Sequence, residues 1–219
     1  MSKELKLVKC SLDNQWDNLI FNSLERSLFN SKVFLESIDT NLGLYKCYKG
    51  NELRAILVLC EDNKRENIIG NDFLIYSGIV FGPPTYNQSQ SQQISERHRI
   101  TSFIINEITR LYKSFYFQLS PNIIDIRPFQ WHNFGIKNEK KCFVDVKYTS
   151  YLNIKDFYKI NSNNMDIFLK DFSSSRRQEI RYLIKNKVKV VTTDDCDLLI
   201  KLYEITLQKS SIKIDEFQK

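Results

Sequence analysis

The chain changes its hydrophobic period several times along its length, and each change marks an element. Leu5 to Cys10 alternates apolar and polar residues, the period of a half-buried strand. Trp16, Leu19 and Ile20 then fall three and four apart behind Asp13, which predicts a capped amphipathic helix. A second helix is expected over Ser31 to Ile38, ending at the break Asn41 to Gly43. Strand character returns in Leu44 to Tyr48 and in Leu53 to Cys60. Gly50 and Asn51 between these two runs give a hairpin signal. Glu61 to Asn71 is polar and charged and reads as an exposed loop.

Phe73 to Phe81 reads as a buried strand closed by Gly82, Pro83 and Pro84. The Ser/Gln run from Gln88 to Gln93 is a solvated loop leading into a helix over Ser91 to Lys113. Ile100, Phe103, Ile104, Ile108 and Leu111 are its expected inner face. Tyr116 to Leu119 is the next strand candidate, ended by Pro121. Asp125 to Gly135 is an aromatic loop or short helix, and Val144 to Ile154 alternates as a long strand. Tyr158 to Asn164 has the composition of a linker, followed by a helix over Met165 to Phe172.

The stretch Ser173 to Val191 then compresses a helix start, a basic stripe, a helix stop and a strand. Ser175 with Gln178 forms a capping-box pattern. Ile180, Leu183 and Ile184 share one helical face, expected to pack on a core. Arg177, Arg181 and Lys185 sit four apart and form a positive ridge on another face. Asn186 and Lys187 can close the helix, and Val188 to Val191 has the β-branched content of a strand. A helix from Asp195 to Lys209 follows, and the last ten residues offer no closing strand, so the chain is expected to stop within a domain.

Composition narrows the class. The 219 residues are 42% hydrophobic and 13% aromatic, enough for a real core. A formal net charge of +6 leans towards anionic partners, although the basic residues are dispersed and no clustered tract marks a nucleic-acid binder. Cys10, Cys47, Cys60, Cys142 and Cys196 form no CxxC pair, so reduced thiols and a cytoplasmic, soluble protein are expected. The N-terminus lacks the apolar run of a secretory signal, and no window approaches the length of a membrane span.

Four pieces in this order carry a resemblance. They are Phe29 to Leu35 after the first helix, Tyr76 to Pro83, Asp125 to Trp131 leading to Tyr148 and Thr149, and Ser175 to Arg181 leading to Val188. Together they resemble the FemAB-like branch of the GNAT acyltransferase superfamily, whose members pair two GNAT-type domains in tandem. The resemblance implies an α/β fold: a GNAT-like mixed central sheet flanked by helices, then the incomplete start of a second GNAT-like domain. It places the first domain at 1–154, a linker at 155–164 and the opening of the second domain at 165–219.

The same resemblance implies N-acyl or aminoacyl transfer to an amine on a cell-envelope precursor or nucleotide-linked sugar, an activity expected to need the complete second domain. Acyl-CoA or aminoacyl-tRNA would be the donor, and a small-molecule or lipid-linked anion the acceptor. GNAT domains cradle a donor diphosphate on a Gln/Arg-x-x-Gly-x-Gly/Ala turn at a helix N-terminus. All six glycines here are isolated, so no cofactor-binding turn is expected in this chain. A non-catalytic GNAT-shaped module that binds an anionic ligand or a protein partner is the alternative.

Arg176, Arg177 and Arg181 are the leading anion contacts, set against an exposed basic face or an ion pair to Glu179. Lys32 is a further candidate, set against a solvated lysine. Trp131, Phe129 and Tyr148 could wall a sugar or base, or pack into the core. His98 is expected on the surface and His132 in a structural hydrogen bond. Asp125 and Asp145 make no convincing acid–base pair by spacing, and catalytic residues stay unassigned. Amine attack on an activated ester can rest on orientation and charge stabilisation, so no base need be visible.

Overall fold

A computed structural model of the chain describes residues 4–151, 153, 155, 169–170 and 172–209. The chain divides into two compact units, Met1–Ser150 and Tyr151–Lys219. The expected linker over Tyr158 to Asn164, nearly all of the helix over Met165 to Phe172, and the last ten residues lie outside the described residues.

The first unit is built on one antiparallel sheet. Strand β1 (Leu5–Lys9) pairs with β2 (Leu42–Lys49), and β2 pairs with β3 (Glu52–Glu61). On its other side β3 pairs with β4 (Ile68–Ile69) near its end and with β5 (Gly78–Phe81) near its middle. The β2–β3 hairpin closes through Gly50 and Asn51, with φ of 60° at Gly50. A glycine at the first central position relieves the steric cost that a side chain would carry there.

Strand β3 explains the layering. Its run Ala55 to Cys60 is buried throughout, because alternate residues face different cores. Ala55, Leu57 and Leu59 pack with Ile100, Ile104 and Ile108 of helix α3 (Gln90–Leu111). Ile56, Val58 and Cys60 pack with Trp16, Leu19 and Ile20 of helix α1 (Asn14–Phe21) and with Leu35 of α2 (Lys32–Ser37). The sheet is therefore a middle layer between α3 on one face and α1 and α2 on the other. Asp13 caps α1, as its position implies, by accepting the Trp16 amide at 3.0 Å. A 3₁₀ turn over Leu28–Asn30 leads into α2, whose cap is Ser31. The Trp16 indole donates to the Asn30 carbonyl at 2.9 Å and ties α1 to this turn.

Several sequence expectations shift. On α3, Ile105 is buried and Leu111 is exposed, the reverse of the expected inner face at that end. The strand expected from Phe73 begins only at Gly78, because the Asn71 side chain accepts the amides of Phe73 and Leu74 and bends the chain. The polar stretch after Glu61 contributes the short strand β4. Tyr116 to Leu119 forms no ladder: Gln118 accepts from the Ser77 amide at 2.8 Å, but its own amide donates to the Ser77 hydroxyl. The strand expected from Val144 is not formed among the described residues, which lie outside any helix or ladder. A five-residue helix α4 (Arg127–Trp131), with Pro128 in its first turn, occupies the aromatic stretch.

In the second unit, helices α5 (Ser174–Lys185) and α6 (Cys196–Lys209) are described. Helix α5 ends with Lys187 at φ 52°, where the amides of Lys187 and Val188 donate to the carbonyls of Ile184 and Leu183. That is a Schellman closure, formed here without glycine. Val188 to Val191 pairs with no strand among the described residues, so the strand expected there is absent. No helix among the described residues is long and apolar enough to cross a membrane.

Candidate functional site

Three consecutive serines precede the arginines of α5, and the first acts as the cap. Ser173 accepts the Arg176 amide on its hydroxyl at 3.4 Å and the Arg177 amide on its carbonyl at 3.0 Å. This corrects the Ser175–Gln178 box by two residues. Any of the serines could cap, and the extended backbone at Ser173 decides between them. Arg176 folds onto Glu179 at 2.6 Å in an exposed pair. Arg177, Arg181 and Lys185 follow at helical spacing, and none has a carboxylate partner among the described residues.

Side chains four apart on a helix bring their Cβ atoms to about 5–6 Å, so neighbouring cations of this ridge are close enough to meet one extended anion. Two guanidinium forks and an ammonium can each take oxygens of a diphosphate or an extended polyanion. The apolar residues of α5 are not covered among the described residues: Leu183 is 51% and Ile184 61% exposed.

The other expected residues stand apart from this helix. The Lys32 amide donates to the Asp17 carboxylate at 2.9 Å, and its ammonium lies 3.8 Å from Glu36. Trp131 is half-exposed on α4, with the Arg127 guanidinium 5.7 Å from its ring centre and the His98 ring also at 5.7 Å. His98 is half-buried, not a surface residue, and its Nε2 has no hydrogen-bond partner among the described residues. Phe129 is a core residue that meets Phe117 edge-on at 6.2 Å. Tyr148 is exposed, and no ring contact joins it to Trp131 among the described residues. An aromatic wall is not assembled from these three.

Asp125 is gripped by Arg127 at 2.7 Å through two nitrogens, which holds its carboxyl below the usual range. Asp145 pairs with Lys147 at 2.7 Å. Each aspartate thus has its own cation, and nothing in these contacts joins them as an acid–base couple. Burial lowers the His132 pKa, and its Nε2 lies 3.2 Å from the Asn133 side-chain amide.

Sequence reasoning missed a charged cluster where β5 turns into α3. Glu96, buried in the second turn of α3, accepts from Lys49 at 2.7 Å, Gln88 at 2.8 Å and Arg54 at 3.0 Å. Burial alone would raise its pKa, but these hydrogen bonds outweigh it and bring it down to about 2. Beside it, Arg97 donates to the buried Glu25 at 2.8 Å and lies 4.7 Å over the Phe81 ring. Glu25 also accepts the Phe81 amide at 3.2 Å and the Ser23 hydroxyl at 2.9 Å. The cavity among these groups measures about 10 Å³, the room of roughly one water molecule. Glu96 sits four and eight residues before Ile100 and Ile104, so its place on the inner face was readable. Glu25 carried no local signal.

A second buried network joins Glu61, Tyr112 and Tyr45. Tyr112 donates to Glu61 at 2.5 Å, and the two hydroxyls of Tyr112 and Tyr45 are 2.6 Å apart. Burial, together with both of these bonds, pushes the Tyr112 hydroxyl far above the ordinary phenol range. Lys9 and Arg65 approach the same carboxylate at 3.4 and 3.7 Å. Among the described residues, no group of His, Cys, Asp and Glu side chains could hold a metal ion.

These features describe a mixed α/β unit whose buried charges are paired, and a second unit whose helix α5 keeps Arg177, Arg181 and Lys185 without a carboxylate partner among the described residues. Compared with protein-family models, curated proteins and solved structures, the chain finds no match in any of the three.

Proposed function

We propose that the chain is a cytoplasmic N-acyltransferase of the FemAB-like GNAT type, with α5 holding the anionic part of a donor or acceptor. The observation that carries this reading is the ridge Arg177, Arg181 and Lys185, free of carboxylates among the described residues. In the first unit, by contrast, the inward-facing Lys46, Arg54 and Arg97 each meet an acidic side chain. The succession of strand, two helices, hairpin, strand and long helix supports the same family, as does the serine-capped arginine helix. In such transfer the amine of the acceptor attacks an activated ester or thioester. The chain's share is to orient the two and to offset the phosphate charge. Acyl-CoA or aminoacyl-tRNA is the donor class, and the acceptor is an amine on a cell-envelope precursor or nucleotide-linked sugar.

A second reading, a non-catalytic module that binds an anion or a protein partner, is favoured by one specific observation. In the strand–turn–helix from β5 to α3, the Glu96 carboxylate already takes up Lys49 and Arg54. A donor diphosphate would compete there with a buried internal anion. The test is mass-spectrometric detection of acyl transfer by the 219-residue chain, from acyl-CoA and from aminoacyl-tRNA, to a nucleotide-linked amino sugar. Turnover that falls on Arg177→Ala or Arg181→Ala supports the transferase, with a loss of about ten- to a hundredfold in kcat/KM for each charged hydrogen bond removed. Saturable binding without turnover supports the module.

A further inference from the structure

The segment 143–149 follows Cys142, which packs on the core, and lies outside every helix and strand, with Phe143 at 98% and Tyr148 at 95% exposure. Among the described residues, no backbone hydrogen bond reaches it. Its residues alternate as a strand does, with Val144, Val146 and Tyr148 on one side and Phe143, Asp145, Lys147 and Thr149 on the other. An unpaired, exposed segment with this alternation is a template for a strand of another chain, and its side chains decide which one.

We propose that this segment pairs antiparallel with the same segment of a second copy of the chain, about a two-fold axis at Val146. The sequence is complementary to its own reverse at this centre. Val146 meets Val146 of the second copy, and Val144 meets Tyr148, which gives one continuous apolar face. On the opposite face Asp145 meets Lys147 twice, once in each direction, and Phe143 meets Thr149. Opposite charges and aromatic–β-branched pairs directly across two strands are the stabilising combinations for an antiparallel ladder. A register moved by two residues sets Asp145 against Asp145 or Lys147 against Lys147, so the charges also fix the alignment. The pair Asp145–Lys147 within one chain, at 2.7 Å, is exposed and gives way at little cost.

The test is disulfide trapping in the full 219-residue chain, with Cys142→Ser and Cys196→Ser as background. Val146→Cys places two thiols directly opposite each other at the axis, and mild oxidation is expected to yield a covalent dimer. Val144→Cys places them four residues out of step, and no dimer is expected. Lys147→Asp should abolish the Val146→Cys cross-link, and adding Asp145→Lys should restore it. Equal cross-linking at 144 and 146 overturns the proposal, as does failure of the charge swap to restore the link. A monomer by sedimentation at high micromolar concentration also overturns it, and amide exchange protection of 143–149 in that monomer would assign the strand to a different partner.

Discussion

Gly43 stands against the Glu61 carboxylate so closely that an added Cβ would lie 2.7 Å from Oε1. That oxygen is held by Tyr112, which is held in turn by Tyr45, so a retreat of the carboxylate would break these bonds. Gly43→Ala is therefore expected to destabilise the fold by about 1–3 kcal/mol, the usual range for overpacking, as read in a urea unfolding curve. An unchanged midpoint would show that the network yields. The thiols separate at the same scale. Burial pushes the Cys47 thiol up to about 12, whereas Cys196 is exposed. Under native conditions at neutral pH, alkylation should modify Cys196 first and Cys47 only on unfolding, as followed by intact mass. Such buried pairs were legible in part. Glu96 shares the period of Ile100 and Ile104, but the meeting of Glu61 with Tyr112 joins residues 51 apart in sequence, and no local pattern foretells it.

Elements whose signal is local emerged where the sequence put them. Asp13 caps α1, the helix expected from Ser31 starts there, and the β2–β3 hairpin turns at Gly50, whereas α3 begins at Gln90 behind the cap Ser89, inside the stretch expected as a solvated loop. The strands expected at 116–119 and 188–191, and the one expected at 144–154 as far as its residues are described, share a different fate, because a strand exists only where a second one supplies its hydrogen bonds. Alternation reveals the willingness to pair and is silent on the partner. On α5 the arginine ridge was legible, whereas the choice among Ser173, Ser174 and Ser175 as cap depended on backbone angles that composition does not encode. Helix α3 also contributes a pH dependence through Glu96. The Glu96 carboxyl is lowered from 4.5 to about 2 in the folded state. Its contribution is present in full above pH 4.5 and is lost as the pH falls through that value towards 2, up to about 3 kcal/mol in all. Glu96→Gln should remove this acid-dependent part and destabilise the neutral-pH fold, since Arg54 and Lys49 then lose their shared anion, at a cost of about 3–5 kcal/mol. Unfolding curves of both proteins from pH 3 to 7 would show it, and parallel profiles would contradict it.

At the scale of the whole molecule, both hydrophobic clusters lie within the first unit, from Leu5 to Cys142. A chain ending at Ser150 should therefore unfold cooperatively, with the near-ultraviolet signal of the buried Trp16 intact and a midpoint close to that of the full chain. Loss of that signal would mean that the second unit completes the core. The second unit contributes the basic helix, and the net charge of +6 favours approach of an anion to the molecule. The proposed function rests on anion binding by α5 through Arg177 and Arg181. Calorimetric titration of the 219-residue chain with inorganic diphosphate decides it. Saturable, salt-sensitive binding is expected, retained in Arg176→Ala, whose side chain is already paired with Glu179, and lost in the double variant Arg177→Ala/Arg181→Ala. Absence of saturable binding, or equal binding by the double variant, would contradict it.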